Sequence, residues 1–262
     1  MNPELTNKSH WNNLYDNCTL KREVWLPSDY DSYLLDYVIS KEIQQNKPLN
    51  ILEIGCGNST WLPYLARKFN LQIAGLDYSE TGCELLRKNL MNEGIAGSVF
   101  CEDLFSADPD RVGRYDFVYS LGVVEHFSDI ENVIKKMMQF VSPGGILFTE
   151  IPNFSGSIYS VISEIWNPEL LRMHNKLSRT NIIHAYKSCG LTEVKGDYLG
   201  LFSLALESWE AYPRWPGMAR AIAPGIVTIK SILDKPLIHS HYYQGYKPLA
   251  PYIYATGKKA KV

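Results

Sequence analysis

The stretch ILEIGCGNST, residues 51–60, sets an apolar run with one acid inside it, Glu53, against a turn built on Gly55 and Gly57. A short apolar run bounded by a glycine turn suits a strand buried in a parallel sheet. When such a turn also opens a helix, here Asn58 to Phe69, its backbone can approach a ligand closely. Glu53 stands two residues before the turn. A carboxylate there fits poorly beside a phosphate and well beside a cation.

Outward from this stretch the same rhythm repeats. Upstream, residues 28–46 begin with a candidate cap, Ser28, and place Tyr30, Tyr33, Leu34, Tyr37 and Val38 at the spacing of one helical face. Downstream, LQIAGLD (71–77), SVFCEDL (98–104), YDFVYSLG (115–122) and GILFTEIPN (145–153) read as strands. Helices are expected from Ser79 to about Asn92 and over residues 128–141. Strands alternating with helices through short connections predict an α/β, doubly wound parallel sheet. After Pro152 the rhythm breaks. Residues 153–177 read as an irregular insert, 178–190 as a helix, LTEVKGDYLGLF (191–202) as a strand, and APYIYATGKK (250–259) as the last strand.

The chain has 262 residues, 45 % of them hydrophobic, which is enough for one large α/β domain or a core domain with an insert. Net charge is −2 and no basic stripe appears, so nucleic acid is not an expected partner. The five cysteines, at 18, 56, 83, 101 and 189, form no CxxC pair and no zinc spacing. They read as reduced thiols in a cytoplasmic protein. The N-terminus lacks the apolar core of a signal peptide, and no run approaches the roughly 20 apolar residues of a membrane span.

In such sheets ligands bind beyond the carboxyl ends of the strands. Asp77 ends the second strand 20 residues after Gly57, where an acid can accept bonds from both hydroxyls of a ribose. Asp103, after the third strand, suits the amino group of an adenine. A dinucleotide is one candidate ligand, but its GxGxxG fingerprint fails here, because Thr60 holds the third position. Two acids and a glycine turn describe a nucleoside that carries positive charge rather than phosphate.

ILEIGCGNST, LDYS, CEDLF, YDFVYSLGVVEHF and SPGG resemble, in order and spacing, the successive motifs of class I (Rossmann-like) S-adenosylmethionine-dependent methyltransferases. The resemblance is strong over residues 49–152 and weaker beyond. It implies a seven-stranded, mostly parallel sheet in the order 3-2-1-4-5-7-6 with the last strand antiparallel. It also implies an N-terminal helical segment, 1–47, that folds over the cofactor through Trp11 and Tyr15. The core would span 48–203 and 248–262, and the aromatic-rich insert 204–247 would cap the substrate. Position by position, Gly55 and Gly57 would line the methionine part of the cofactor and Asp77 the ribose, with Cys56 and Tyr78 also among the cofactor-binding residues. Asp103 with Leu104 would hold the adenine, Ser120 and Leu121 would touch the cofactor from the fourth strand, and Glu53 would orient the turn near the amino group. The product would be S-adenosylhomocysteine.

Methyl transfer from a sulfonium is an in-line displacement, so the protein mainly aligns the nucleophile and excludes water. A base is needed only for a hydroxyl or a protonated amine. His126 is the first candidate base, against a structural role bonding backbone; His174 in the first insert is the second, against a solvated loop histidine. Quinone-ring and small-RNA relatives use an ExxEH pattern to hold a divalent metal. Here Gly122 holds the first position, so no metal is expected, although Glu125, His126 and a distant His174 offer a partial set. In the second insert, Trp209, Tyr212, Trp215, His239, His241, Tyr242, Tyr243 and Tyr246 can wall a planar acceptor, build a small cap core, or form a homodimer face. The apolar stretch 221–233, interrupted by Pro224 and Gly225, is expected to be buried in that cap rather than to lie on a lipid surface. The turn after the fourth strand lacks the (D/N/S)PP(Y/F) pattern of base methylation, and scattered cysteines argue against arsenic as acceptor. The expected activity is therefore methylation of oxygen or nitrogen on a small organic acceptor such as a secondary metabolite, sugar or quinone precursor. A protein or lipid acceptor, or a cofactor-binding partner subunit without catalysis, are the alternatives.

Overall fold

The structure, a computed structural model, describes residues 5–16, 24, 29–201, 215–240 and 245–261. Seven strands form one sheet in the order β3-β2-β1-β4-β5-β7-β6. These are β1 (Asn50–Ile54), β2 (Gln72–Asp77), β3 (Gly97–Cys101), β4 (Tyr115–Leu121), β5 (Val141–Pro152), β6 (Thr192–Leu199) and β7 (Tyr252–Lys258). The first five pair in parallel, and β7 runs antiparallel to both β5 and β6. The order and the reversed last strand are those implied by the motifs.

Side chains alternate across a strand, so the central strands feed two cores. From β1 and β4, Leu52, Ile54 and Val118 enter one face, covered by α6 (Ile130–Met137) and α9 (Arg179–Ser188) through Val133, Ile134, Met137, Ile182 and Tyr186. Ile51, Phe117 and Tyr119 enter the other, under α2 (Tyr30–Asn46), α3 (Trp61–Phe69) and α4 (Glu80–Asn92). Both faces are dry, which is why these strands read as apolar runs rather than as alternating patterns.

Several boundaries differ from the sequence reading for local reasons. Asp29 caps α2, its carboxylate accepting from Ser32 N at 3.0 Å, while Ser28 lies outside the described residues. Ser79 caps α4 instead of beginning it, accepting from Gly82 N. Strand β5 starts at Val141, earlier than expected, because a register shift between Tyr115 and Phe117 absorbs the Pro-Gly-Gly stretch in the ladder. The insert after Pro152 is not irregular throughout. It holds α7 (Ile158–Trp166) and α8 (Pro168–Arg172), capped by Ser157 and Asn167. Short helices α1 (Lys8–Asp16) and α5 (Pro109–Val112) complete the first half.

Helix α10 (Pro216–His239) runs on through Pro224 and Gly225. It is tied to the start of α2. Lys230 Nζ reaches Asp29 at 2.7 Å and Asp234 at 2.5 Å, and Asp234 accepts from Tyr30 N at 3.1 Å. The burial expected for 221–233 fails at Ile229, which is 58 % exposed, because the packed side of α10 is the one carrying Lys230 and Asp234. Trp209, Tyr212, His241, Tyr242 and Tyr243 lie outside the described residues; Trp215 packs edge-on against Trp166, and Tyr246 is exposed. Among the described residues, no helix is long and apolar enough to cross a membrane.

Candidate functional site

The turn after β1 is held by the end of β2. Gly55 N and Cys56 N donate to Leu76 O at 2.8 and 3.3 Å, and Gly57 N donates to Asp77 Oδ2 at 2.7 Å. Gly55 and Gly57 have φ of +75° and +28°, which side chains rarely tolerate. There is also no room for a side chain. A Cβ on Gly55 would lie 2.3 Å from a methyl of Val123, and one on Gly57 would lie 2.0 Å from the Tyr15 hydroxyl oxygen.

Asp77 is both a cap and a cleft wall. Its second oxygen accepts from Ser79 N at 2.8 Å, and the residue is buried, which raises its pKa against the lowering effect of those amides. A carboxylate oxygen accepts more than one bond, so capacity toward a ligand remains. Asp103 also faces the cleft while Oδ1 accepts from Phe105 N at 2.6 Å.

Glu53 does not line the cleft. It lies behind the turn, buried, and Oε2 accepts from Ser59 Oγ at 2.6 Å and from the Tyr119 hydroxyl at 2.8 Å. Ser59 Oγ in turn accepts from Leu62 N at the start of α3. Glu53 therefore shapes the turn through Ser59, and burial pushes its pKa up to about 8. Cys56 packs inward against Gly75, and Ser120 is fully buried with no partner for its hydroxyl among the described residues; neither lines the cleft. Folding does bring Cys56, Cys83 and Cys101 into one neighbourhood, where the Cys83 thiol donates to Asp77 O at 3.4 Å. Cys56 and Cys83 are nevertheless closed to solvent.

The cleft opens over the carboxyl ends of β1 to β4. Asp77, Tyr78, Asp103, Leu104, Leu121 and His126 line it, as do Trp11 and Tyr15 from α1. Helix α1 is fastened across the start of α4. Lys8 pairs with Glu80, the Ser79 hydroxyl donates to Asn12 Oδ1 at 2.6 Å, and the Thr81 hydroxyl donates to Asp16 at 3.0 Å. Ahead of it, Leu5 N donates to His126 O at 2.8 Å, so the N-terminal segment closes one side of the cleft.

On that side, His126 and His174 have ring centroids 4.4 Å apart, and Trp11 stands edge-on to His126 at 5.0 Å. His126 Nδ1 bonds Met173 O at 3.0 Å and His174 Nδ1 bonds Leu170 O at 2.5 Å. Burial, with His174 alongside, lowers the His126 pKa to about 3; burial also lowers that of His174. Glu125 is 1 % exposed, and burial pushes its carboxyl to about 8. His126 lines the cleft, and His174, which the sequence offered only as a distant partner, packs against it. The sequence reading missed Val123 and Phe105 in the cleft wall and Tyr119 behind it, whose apolar and aromatic side chains carry no signal apart from core residues.

A family profile described as a methyltransferase domain matches residues 28–195, well over half of the chain. A ubiquinone biosynthesis O-methyltransferase of Chelativorans is 31 % identical over 105 residues, covering 40 % of this chain and 41 % of that protein. The chain thus matches about two fifths of that relative's length. Among solved structures, a coclaurine N-methyltransferase bound to N-methylheliamine and S-adenosylhomocysteine is 16 % identical with a TM-score of 0.57, covering 87 % of this chain and 72 % of that one. The cyclase SpnF is 14 % identical with a TM-score of 0.63, covering 100 % and 99 %. At these identities the structural likeness is one of fold.

Proposed function

The chain belongs to the methyltransferase domain family, and from that premise we propose that it is an enzyme transferring a methyl group from S-adenosylmethionine to oxygen or nitrogen of a small organic acceptor. The observation that carries this reading is the cleft itself. The side-chain-free Gly55 meets two acids, Asp77 and Asp103, under a lid formed by Trp11 and Tyr15, with Gly57 lying beneath the Tyr15 hydroxyl. The carboxylates suit a ribose and an adenine amino group, and the bare turn suits the methionine part. Leu104 packs the base, and Tyr78 and Leu121 complete the wall. Glu53 acts one step back by fixing Ser59 and so the turn, and Cys56 and Ser120 support the cofactor strands from behind.

S-adenosylmethionine supplies an electrophilic methyl on a sulfonium when bound. The chain's own part is to hold the acceptor in line and exclude water. The N-terminal segment does the excluding. A neutral His126 with a pKa near 3 is a weak base, which favours a positioning role over proton removal by this residue alone. The reading takes the acceptor as a small molecule and the protein as cytoplasmic, and leaves a homodimer as a further proposal. It is tested by incubating the protein with methyl-labelled S-adenosylmethionine and fractionated metabolite extracts. Label transferred to a small product in a protein-dependent way supports it. Label appearing only on protein or membrane fractions overturns the small-acceptor reading.

A further inference from the structure

Among the described residues, Glu125 alone has both carboxylate oxygens buried and unpartnered. An orphaned buried carboxylate points to a missing ligand, water or ion. The answer lies in what surrounds it. Ligand atoms of Glu125, His126 and His174 all lie within 4.8 Å of one another, with Glu125 Oε1 4.0 Å from His126 Nε2. Both imidazoles are already turned for ligation. The carbonyls of Met173 and Leu170 can only accept, so each Nδ1 carries its proton and each Nε2 keeps a free lone pair. A ring nitrogen bonded to backbone is the usual outer support of a metal-binding histidine.

The backbone holds these parts together. Asn175 N donates to Glu125 O at 2.6 Å, which pins the end of the first insert, with His174, onto the turn after β4. Gly122, with φ of +69°, takes the left-handed backbone conformation that brings the turn close to Glu125 Oε1. The sequence reading set a metal aside because Gly122 supplies no carboxylate. In the fold, His174 supplies a third ligand from elsewhere.

We propose that Glu125, His126 and His174 form a site for one divalent cation of the zinc or iron(II) class, on the His126 side of the cleft. Two imidazoles and one carboxylate favour these ions over magnesium or calcium, which prefer oxygen donors. Bonds of about 2.1 Å draw the three groups together by roughly 1 Å, a side-chain adjustment. Three protein ligands leave coordination positions free, as in catalytic rather than structural sites. Of the three, His126 lines the cleft while Glu125 and His174 stand behind it, so an acceptor oxygen would approach the ion past His126. That last step rests on the methyltransferase reading; the cation site does not.

The test is titration of metal-stripped full-length protein with cobalt(II), followed by its visible d–d bands, and with zinc by calorimetry. The expected result is one ion per chain, with binding weakened about tenfold or more in Glu125→Gln and in His174→Ala. His239→Ala, which removes an exposed histidine on α10, leaves binding unchanged. Thermal melts establish that each variant is folded. Absence of stoichiometric cobalt in the wild type, or equal affinity in both cluster variants, overturns the site. Titrating the same samples with S-adenosylmethionine separates the two readings. Cation binding without cofactor binding overturns the methyltransferase reading and leaves the cation site standing.

Discussion

Asp77 shows how one side chain serves two ends. Its oxygens fix Gly57 N and Ser79 N, so the same carboxylate that would meet a ribose also sets the turn and the entry to α4. The spacing from Gly57 made the acid legible, while the amide bonds depend on how β1 and β2 pair. We predict that Asp77→Ala weakens S-adenosylmethionine binding about tenfold or more through loss of charge-assisted bonds, in a protein that still folds. Unchanged affinity by calorimetry in the folded variant would remove the ribose assignment. His126 is the opposite case. Its position was legible from the Glu-His pair after β4, but its partner His174 stands 48 residues on, and only packing reveals it. His126→Ala is expected to retain cofactor binding and, by misplacing the acceptor, to lose turnover roughly a hundredfold or more. A loss of only two- or threefold, measured in the same assay, returns it to a purely structural role.

At the scale of elements, strands β1 to β5 were legible because both faces of the sheet are covered and each strand is an unbroken apolar run between polar turns. Helices α7 and α8 were not read, although Ile158, Val161, Ile162, Ile165 and Trp166 stand at helical spacing behind the Ser157 cap; the short α8, capped by Asn167, is too brief to show a period. The course of α10 through Pro224 was equally hidden. What fixes that helix is charge. Lys230 stands among Asp29, Asp31 and Asp234 with its side chain only 15 % exposed, tying α10 to the cap of α2. Removing the cation leaves three acids facing one another. Lys230→Met is expected to cost about 3 kcal/mol in denaturant unfolding, the scale of a buried pair stripped of one partner. A cost below about 1 kcal/mol would mean that α10 is held by its apolar contacts instead.

For the whole molecule, the buried acids set how stability follows pH. Burial raises Glu53 to about 8 and Asp31 to about 7, above the values of about 4 in the unfolded chain. The folded state then binds more protons than the unfolded one, so stability falls as pH rises through this range. His126 works the other way, lowered to about 3 from 6.5, with His10 and His174 lowered too, and this effect fades above about pH 7. Between about pH 7 and 8 the acids dominate. The melting temperature of the ligand-free protein is predicted to fall across that interval, and Glu53→Gln to flatten the fall; a rise would contradict the burial argument. The order of the seven strands and the cofactor cleft were within reach of the sequence, because ordered motifs mark the carboxyl end of each strand in turn. The acceptor side was not, because its groups come from the turn after β4 and an insert that meet only in the fold. The most direct measurement is calorimetric titration of the purified protein with S-adenosylmethionine, S-adenosylhomocysteine and NAD. Binding of the first two with no heat from NAD is the predicted result. Binding of NAD, or of none of the three, would contradict the assignment of the cleft.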